Sequence, residues 1–209
     1  MNILAIGAHF DDVEIGCGGA LVKLKKAGHK VHLFVATVSE FTGAEGGMIR
    51  SGEIAGQEGR AAAAWLGANL VEAGLPTFSL QCDESLNRPL AQMVEQVWPD
   101  LVFTHWTGDA THDHLALARA SLHCVRHIPK VLAYRSNSYS GSRPFDPRHF
   151  VEITQELDEK IALVKIYRSE FQRNQGLWEE QIRAEAVRNG RTAGVPFAEG
   201  FEVIRWVET

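Results

Sequence analysis

The stretch from His9 to Glu14, read with its neighbours as Ala8-His9-Phe10-Asp11-Asp12-Val13-Glu14, crowds an imidazole and three carboxylates together. It follows directly on the apolar run Ile3-Leu4-Ala5-Ile6, which reads as a β-strand, so the cluster falls at a strand's carboxyl end where a helix should begin. An imidazole and adjacent carboxylates are costly to desolvate unless something cationic neutralises them. A bound divalent metal meets that need. A second cluster, Asp109-Ala110-Thr111-His112-Asp113-His114, follows another apolar run, Leu101-Val102-Phe103-Thr104.

A catalytic zinc site usually takes three protein ligands and leaves one position for water. His9 and Asp12, three apart at a strand-to-helix turn, can reach one ion together, and His114 is the natural third ligand. Asp11 is then turned another way and free to act as general base on a metal-activated water, whose pKa falls to about 7. The chemistry implied is hydrolysis of an amide or ester carbonyl. Zn2+ is the default ion for a His/Asp/His set, although Fe2+ or Co2+ suits the same ligands. Plainer readings exist: Asp12 as a helix N-cap, Asp11 as a charge near the helix's positive end, His9 as a core histidine. Packing needs alone, however, seldom produce two such clusters at two strand ends.

The elements that must position these residues alternate along the chain. Strands are expected at 2–7, 31–38, 69–73, 101–104, 131–135, 149–153 and 199–207. Helices are expected at 13–27, 49–66, 86–97, 113–126 and 177–189, the last ended by Gly190. One long amphipathic helix should carry Leu157, Ile161, Val164, Tyr167 and Phe171 at helical spacing. Such alternation predicts an α/β fold with a mostly parallel sheet flanked by helices on both faces. Ligands of such sheets bind beyond the carboxyl ends of the strands, where both clusters lie.

Composition narrows the function classes. The 209 residues are expected to form a single domain, 1–209, with 45% hydrophobic and 22% charged residues as in ordinary globular proteins. A net charge of −5 and the lack of a basic run predict no nucleic-acid partner. No apolar stretch approaches the roughly 18 residues of a membrane span, and no signal-peptide core is evident. Cys17, Cys82 and Cys124 are odd in number and far apart, which fits reduced thiols and a cytoplasmic location.

At this point the residues resemble the LmbE-like, or PIG-L, family of zinc-dependent sugar N-deacetylases. The family's first motif, A-H-P-D-D-x-E continuing into I/L-G-C-G-G, is matched from Ala8 to Gly19 except for Phe10 in place of proline. Asp109, Asp113 and His114 match its second motif, D-x-x-x-D-H. Arg50-Ser51-Gly52-Glu53 with Leu66-Gly67, and Ala198-Glu199-Gly200-Phe201, are similar to further family patterns. The resemblance implies a Rossmann-like three-layer fold and Zn2+ bound by His9, Asp12 and His114, with Asp11 as catalytic base. It implies a small-molecule substrate, an N-acetylated aminosugar or its conjugate, and self-association into a homo-oligomer. The alternatives are an amidase or deformylase acting on another acyl conjugate, and a non-catalytic protein that binds a metal or sugar.

Two departures bear on mechanism. Phe10 removes a rigid turn residue, and Thr111 stands where one branch of the family has a histidine that assists the oxyanion. His112, His105 or Tyr139 could take that role. Substrate contacts are assigned to Arg50, Thr111, Asp113 and Tyr139. Each has a plainer reading: Arg50 as an exposed arginine opening a helix beside Glu53, Asp113 as a carboxylate orienting a neighbouring histidine, Tyr139 as part of a surface loop 136–147. Gly16, Gly18 and Gly19 lack G-x-G-x-x-G spacing and read as room for close helix–sheet approach rather than a phosphate cradle.

Overall fold

Every residue of the first strand is inaccessible from Ile3 onward, because helices cover the sheet on both sides. The computed structural model describes residues 1–208. The chain runs β1 (Asn2–Gly7), α1 (Asp12–Lys26), β2 (Lys30–Thr37), β3 (Phe41–Thr42), β4 (Met48–Arg50), α2 (Gly52–Leu66) and β5 (Asn69–Leu75). It continues through α3 (Glu84–Val97), β6 (Leu101–His105), α4 (His112–Cys124), β7 (Lys130–Tyr134) and β8 (His149–Glu152). The last elements are α5 (Leu157–Val164), α6 (Arg168–Arg173), α7 (Leu177–Ala193) and β9 (Ala198–Trp206).

Seven strands form one sheet in the order β5-β2-β1-β6-β7-β9-β8. The first five are parallel, and β9 pairs antiparallel with both β7 and β8. Alternation along β1 divides the core: Ile3 and Ala5 face α1 and α2, while Leu4 and Ile6 face α3 and α4. The chain therefore leaves β1 for one face of the sheet and leaves the adjacent β6 for the other. That divergence opens a crevice at the carboxyl ends of β1 and β6. The expected three-layer α/β architecture is the observed one.

Four local expectations are corrected. Residues 49–51 do not open a helix: β3 and β4 pair as a short antiparallel ribbon ending in Arg50, and α2 begins at Gly52 behind the N-cap Ser51. The long helix over 157–171 is broken between α5 and α6, with Tyr167 at ψ 66°. Tyr167 is buried and its ring lies under Arg50, so tertiary contacts override helical periodicity. Gly190 does not end α7, which runs on to Ala193 and stops at Gly194 with φ +76°. A Cβ at Gly190 would stand 2.5 Å from the Pro196 carbonyl oxygen, so that glycine serves close approach. Lastly Asp12 is the first residue of α1 rather than its cap.

The glycines of the first motif behave as packing residues. A Cβ on Gly16 would fall 2.1 Å from the Tyr134 ring, and one on Gly19 would fall 2.9 Å from Ile153. Phe10 substitutes for proline with a changed set of contacts. Its N–H donates to Ser39 Oγ at 2.8 Å, a bond proline cannot make, and its ring fills the space above Gly59.

Candidate active site

The turn after β1 holds His9, and Asp12 is the first residue of α1, both on one side of the crevice; the first turn of α4 holds His114 on the other. Asp12 Oδ2 accepts the His9 N–H at 2.7 Å, and Oδ1 accepts the Ser136 hydroxyl at 2.8 Å. Three side chains then converge. His9 Nδ1 lies 3.3 Å from Asp12 Oδ2, His114 Nε2 lies 3.2 Å from Asp12 Oδ1, and the two imidazole nitrogens are 3.2 Å apart. A tetrahedral cation with ligands about 2.0–2.1 Å away sets ligand–ligand edges of about 3.3–3.4 Å. The donor set therefore fits a divalent ion such as zinc.

The far nitrogen of each imidazole meets a carboxylate. His9 Nε2 is 3.0 Å from Asp113 Oδ2, and His114 Nδ1 is 3.1 Å from Asp109 Oδ2. Such outer carboxylates fix the tautomer that turns a lone pair toward a metal. Both are themselves held. Asp113 accepts the Phe78 and Leu80 N–H groups, and Asp109 accepts from Trp106 Nε1, the Thr111 N–H and Asn137 Nδ2. Asp113 is wholly buried and does not line the cleft, so its oxygens face a histidine and backbone donors rather than a substrate.

Charge follows from these contacts. Burial opposes protonation of both histidines, yet Asp113 and Asp12 raise His9 to about 9, and Asp12 and Asp109 raise His114 to about 10. Asp12, although buried, is held well below the usual carboxylate range by His114 and His105. Asp11 moves the other way. Burial and the neighbouring Asp12 charge push it well above the ordinary range, against the pull of Arg50 3.2 Å away. Its backbone sits at φ +116°, a strained conformation of the kind found at functional sites.

A second possible triad, His105, Asp109 and His114, shares His114. His105 is fully buried and stacked on His114 at 4.1 Å, and its Nε2 accepts the Ala8 N–H at 3.1 Å. Burial and the His114 charge lower it to about 4. Neither His105 nor Asp109 lines the cleft, whereas His9, Asp12 and His114 all do. Only the first triad keeps the open position that catalytic ions need.

The cleft has a volume of about 380 Å³, and Asp11, Arg50, Thr111 and Tyr139 also line it. Arg50 is buried, not exposed, and donates to the Phe10 carbonyl, Asp11 and Glu58 rather than Glu53. Of the candidates for the role vacated at Thr111, His105 is sealed in the core and His112 is exposed outside the cleft, while Tyr139 lies on its wall. Several lining or supporting residues carry no sequence signal: Phe78, Asn137, Ser136 and Glu170. Asp109 did carry one, through its place in the second motif.

Residues 4–125, which include both clusters, match the family described as PIG-L: GlcNAc-PI de-N-acetylase. The chain belongs to that family. Among PIG-L relatives, the uncharacterized deacetylase YaiS of Escherichia coli (strain K12) is 32% identical over 178 residues, covering 80% of this chain and 91% of its own. The N,N'-diacetylchitobiose deacetylase of Pyrococcus horikoshii, solved with the inhibitor MPG, superposes with a TM-score of 0.82 at 22% identity. That match covers 97% of this chain and 83% of the other. GalB of Pseudomonas putida KT2440, a 4-carboxy-2-hydroxymuconate hydratase, superposes with a TM-score of 0.79 at 20% identity over 100% of this chain and 98% of its own. Likenesses at these identities establish the fold, and that fold carries a hydratase as well as deacetylases.

Proposed function

We propose that the chain is a metal-dependent N-deacetylase acting on an N-acetylated aminosugar or its conjugate, with His9, Asp12 and His114 as ligands and Asp11 as general base. The observation that carries this reading is the combination of a three-ligand set open to a cleft with a spare, partly desolvated carboxylate beside it. A structural zinc site would take four ligands and leave no such base. The match to a de-N-acetylase family supports the reaction class, and the sugar specificity of the Pyrococcus relative supports the substrate class.

A divalent cation bound there supplies Lewis acidity for the amide carbonyl and lowers the pKa of water. The chain does the rest. Asp11 takes the proton of the attacking water on a carboxylate oxygen. The same oxygen then delivers that proton to the departing amine nitrogen. Arg50 holds Asp11 in place by its Nη1 contact, and Asp113 and Asp109 keep both imidazoles turned inward. Tyr139 and Thr111 line the wall where a carbonyl oxygen would gather charge.

The test is amine release from a panel of N-acetylated aminosugars, with and without chelator, for the wild type and Asp11→Asn. Release that needs both metal and Asp11 is the expected result. Turnover retained by Asp11→Asn would remove the base from the mechanism, and silence across the panel with metal bound would point to another acyl substrate.

A further inference from the structure

One buried polar group on the cleft wall is used neither by the triad nor by its supports. Glu170, in α6, lines the cleft and is only 3% exposed. Arg173, one turn further on, holds its Oε2 through Nε at 2.9 Å and through Nη2. The other oxygen, Oε1, is buried and has no hydrogen-bond partner among the described residues. Native folds rarely leave such an acceptor unmatched, and each one calls for an explanation.

Helix propensity did not bring Glu170 there. The break at Tyr167 redirects the chain, and the Ser169 N–H and hydroxyl both donate to Glu58, which fixes the start of α6 beside α2. Phe41 and Phe78 give the same cleft an apolar patch. Phe78 stands at φ +61°, 60% exposed, with its ring 6.1 Å from both the His9 and Phe41 rings. Its N–H is tied to Asp113, so the strained backbone presents the ring beside the triad. Arg173 lies 5.4 Å over Phe41 and so links Glu170 to this apolar patch. An apolar patch and a buried acceptor on one cleft match a pyranose, which has a C–H face and hydroxyl edges.

We infer that Glu170 is a specificity-determining residue whose Oε1 accepts a hydroxyl of the substrate's sugar ring while Phe78 packs against the ring's C–H face. This rests on the deacetylase reading and names the part of the aminosugar that the cleft recognises. An acyl substrate without that hydroxyl would leave the buried oxygen unpaired, and sites built to bond a hydroxyl reject analogues that lack it.

Glu170→Gln tests this cleanly. Arg173 offers only donors to the side chain, so the glutamine carbonyl takes the Arg173 side and its NH2 occupies the unpartnered position. The acceptor becomes a donor with little change of shape. The metal-loaded wild type and variant are compared on N-acetylglucosamine and its 3-, 4- and 6-deoxy analogues by kcat/KM. Binding of the same sugars, read by calorimetry, is measured in parallel. The variant should lose about 10- to 100-fold on N-acetylglucosamine, as for a hydrogen bond to a charged group. One deoxy analogue should show the same loss on the wild type and no further loss on the variant, whereas Phe78→Ala should weaken all four sugars alike. A loss in Glu170→Gln that is equal for every analogue, or no loss at all, would overturn the inference. Sugar binding with the expected pattern but no amine release would keep Glu170's role and defeat the deacetylase reading instead. If the wild type neither binds nor cleaves any of the sugars, the inference falls.

Discussion

At the scale of single residues, the site's shifts share a direction but not a cause. His9 and His114 are raised to about 9 and 10 by carboxylates that overcome burial, while Asp11 is raised chiefly because burial and Asp12 disfavour its charge. The outer carboxylates are the more sensitive part of this design. Asp109→Asn or Asp113→Asn should weaken metal binding by about 10- to 100-fold with the three ligands unchanged, read by competition against a chromogenic chelator. The pH dependence has a definite sign. Both histidines have folded-state values above the unfolded value of about 6.5, so their contribution to the metal-free fold is complete below that value and is lost as pH rises toward 9–10. Melting temperatures of chelated protein should fall across this window. Metal loading has the opposite sense, because the ligands must be deprotonated. Affinity should rise with pH, and loading at pH 7 should release protons, measurable by calorimetry in buffers of differing ionisation enthalpy.

At the scale of elements, small residues set how closely the layers approach the site. Phe10 and Gly59 are the clearest case: a Cβ on Gly59 would come within 2.1 Å of the Phe10 ring, whose backbone N–H is bonded to Ser39. Gly59→Ala should destabilise the protein by about 1–3 kcal/mol through overpacking. It should also displace the turn that carries His9, Asp11 and Asp12, so activity should fall by more than the stability loss alone explains. Thermal melts paired with metal titration check this; an unchanged melt would mean that α2 yields without strain. The broken helix α5–α6 serves the same end, since α6 could not meet Glu58 through Ser169 had the helix run straight.

At the scale of the whole molecule, the two sides of the site come from opposite faces of one sheet, held together by the pairing of β1 with β6. A metal bound between them ties the β1–α1 turn to α4. It should stabilise the fold by about 2.7 kcal/mol at a hundredfold excess over Kd. In a protein of this size that is about 5–10 °C in Tm. Differential scanning with and without chelator reads this directly, and an equal Tm in both would mean that metal does not bridge the two faces. Among the described residues no helix is long and apolar enough to cross a membrane.

What the sequence determined by itself was whatever depends on local spacing. Three-residue separation at a strand-to-helix turn made His9 and Asp12 legible as a pair, and apolar runs alternating with helical patterns gave a parallel sheet whose strand ends must gather in one place. His114 could be joined to them because parallel strands deliver their carboxyl ends to the same edge. Local pattern failed wherever a distant contact outweighed propensity. Arg50 ends a strand because the β3–β4 ribbon and the carboxylates of Asp11 and Glu58 hold it there. Tyr167 breaks a helix where its buried ring packs under Arg50. Phe78, Asn137 and Glu170 face the cleft or its supports through segments with no distinctive spacing, so only the tertiary structure could bring them there. The reason is physical: the ligand turn is set by interactions within a few residues, whereas the cleft walls are set by contacts between residues far apart in the chain, which leave no periodic trace in it.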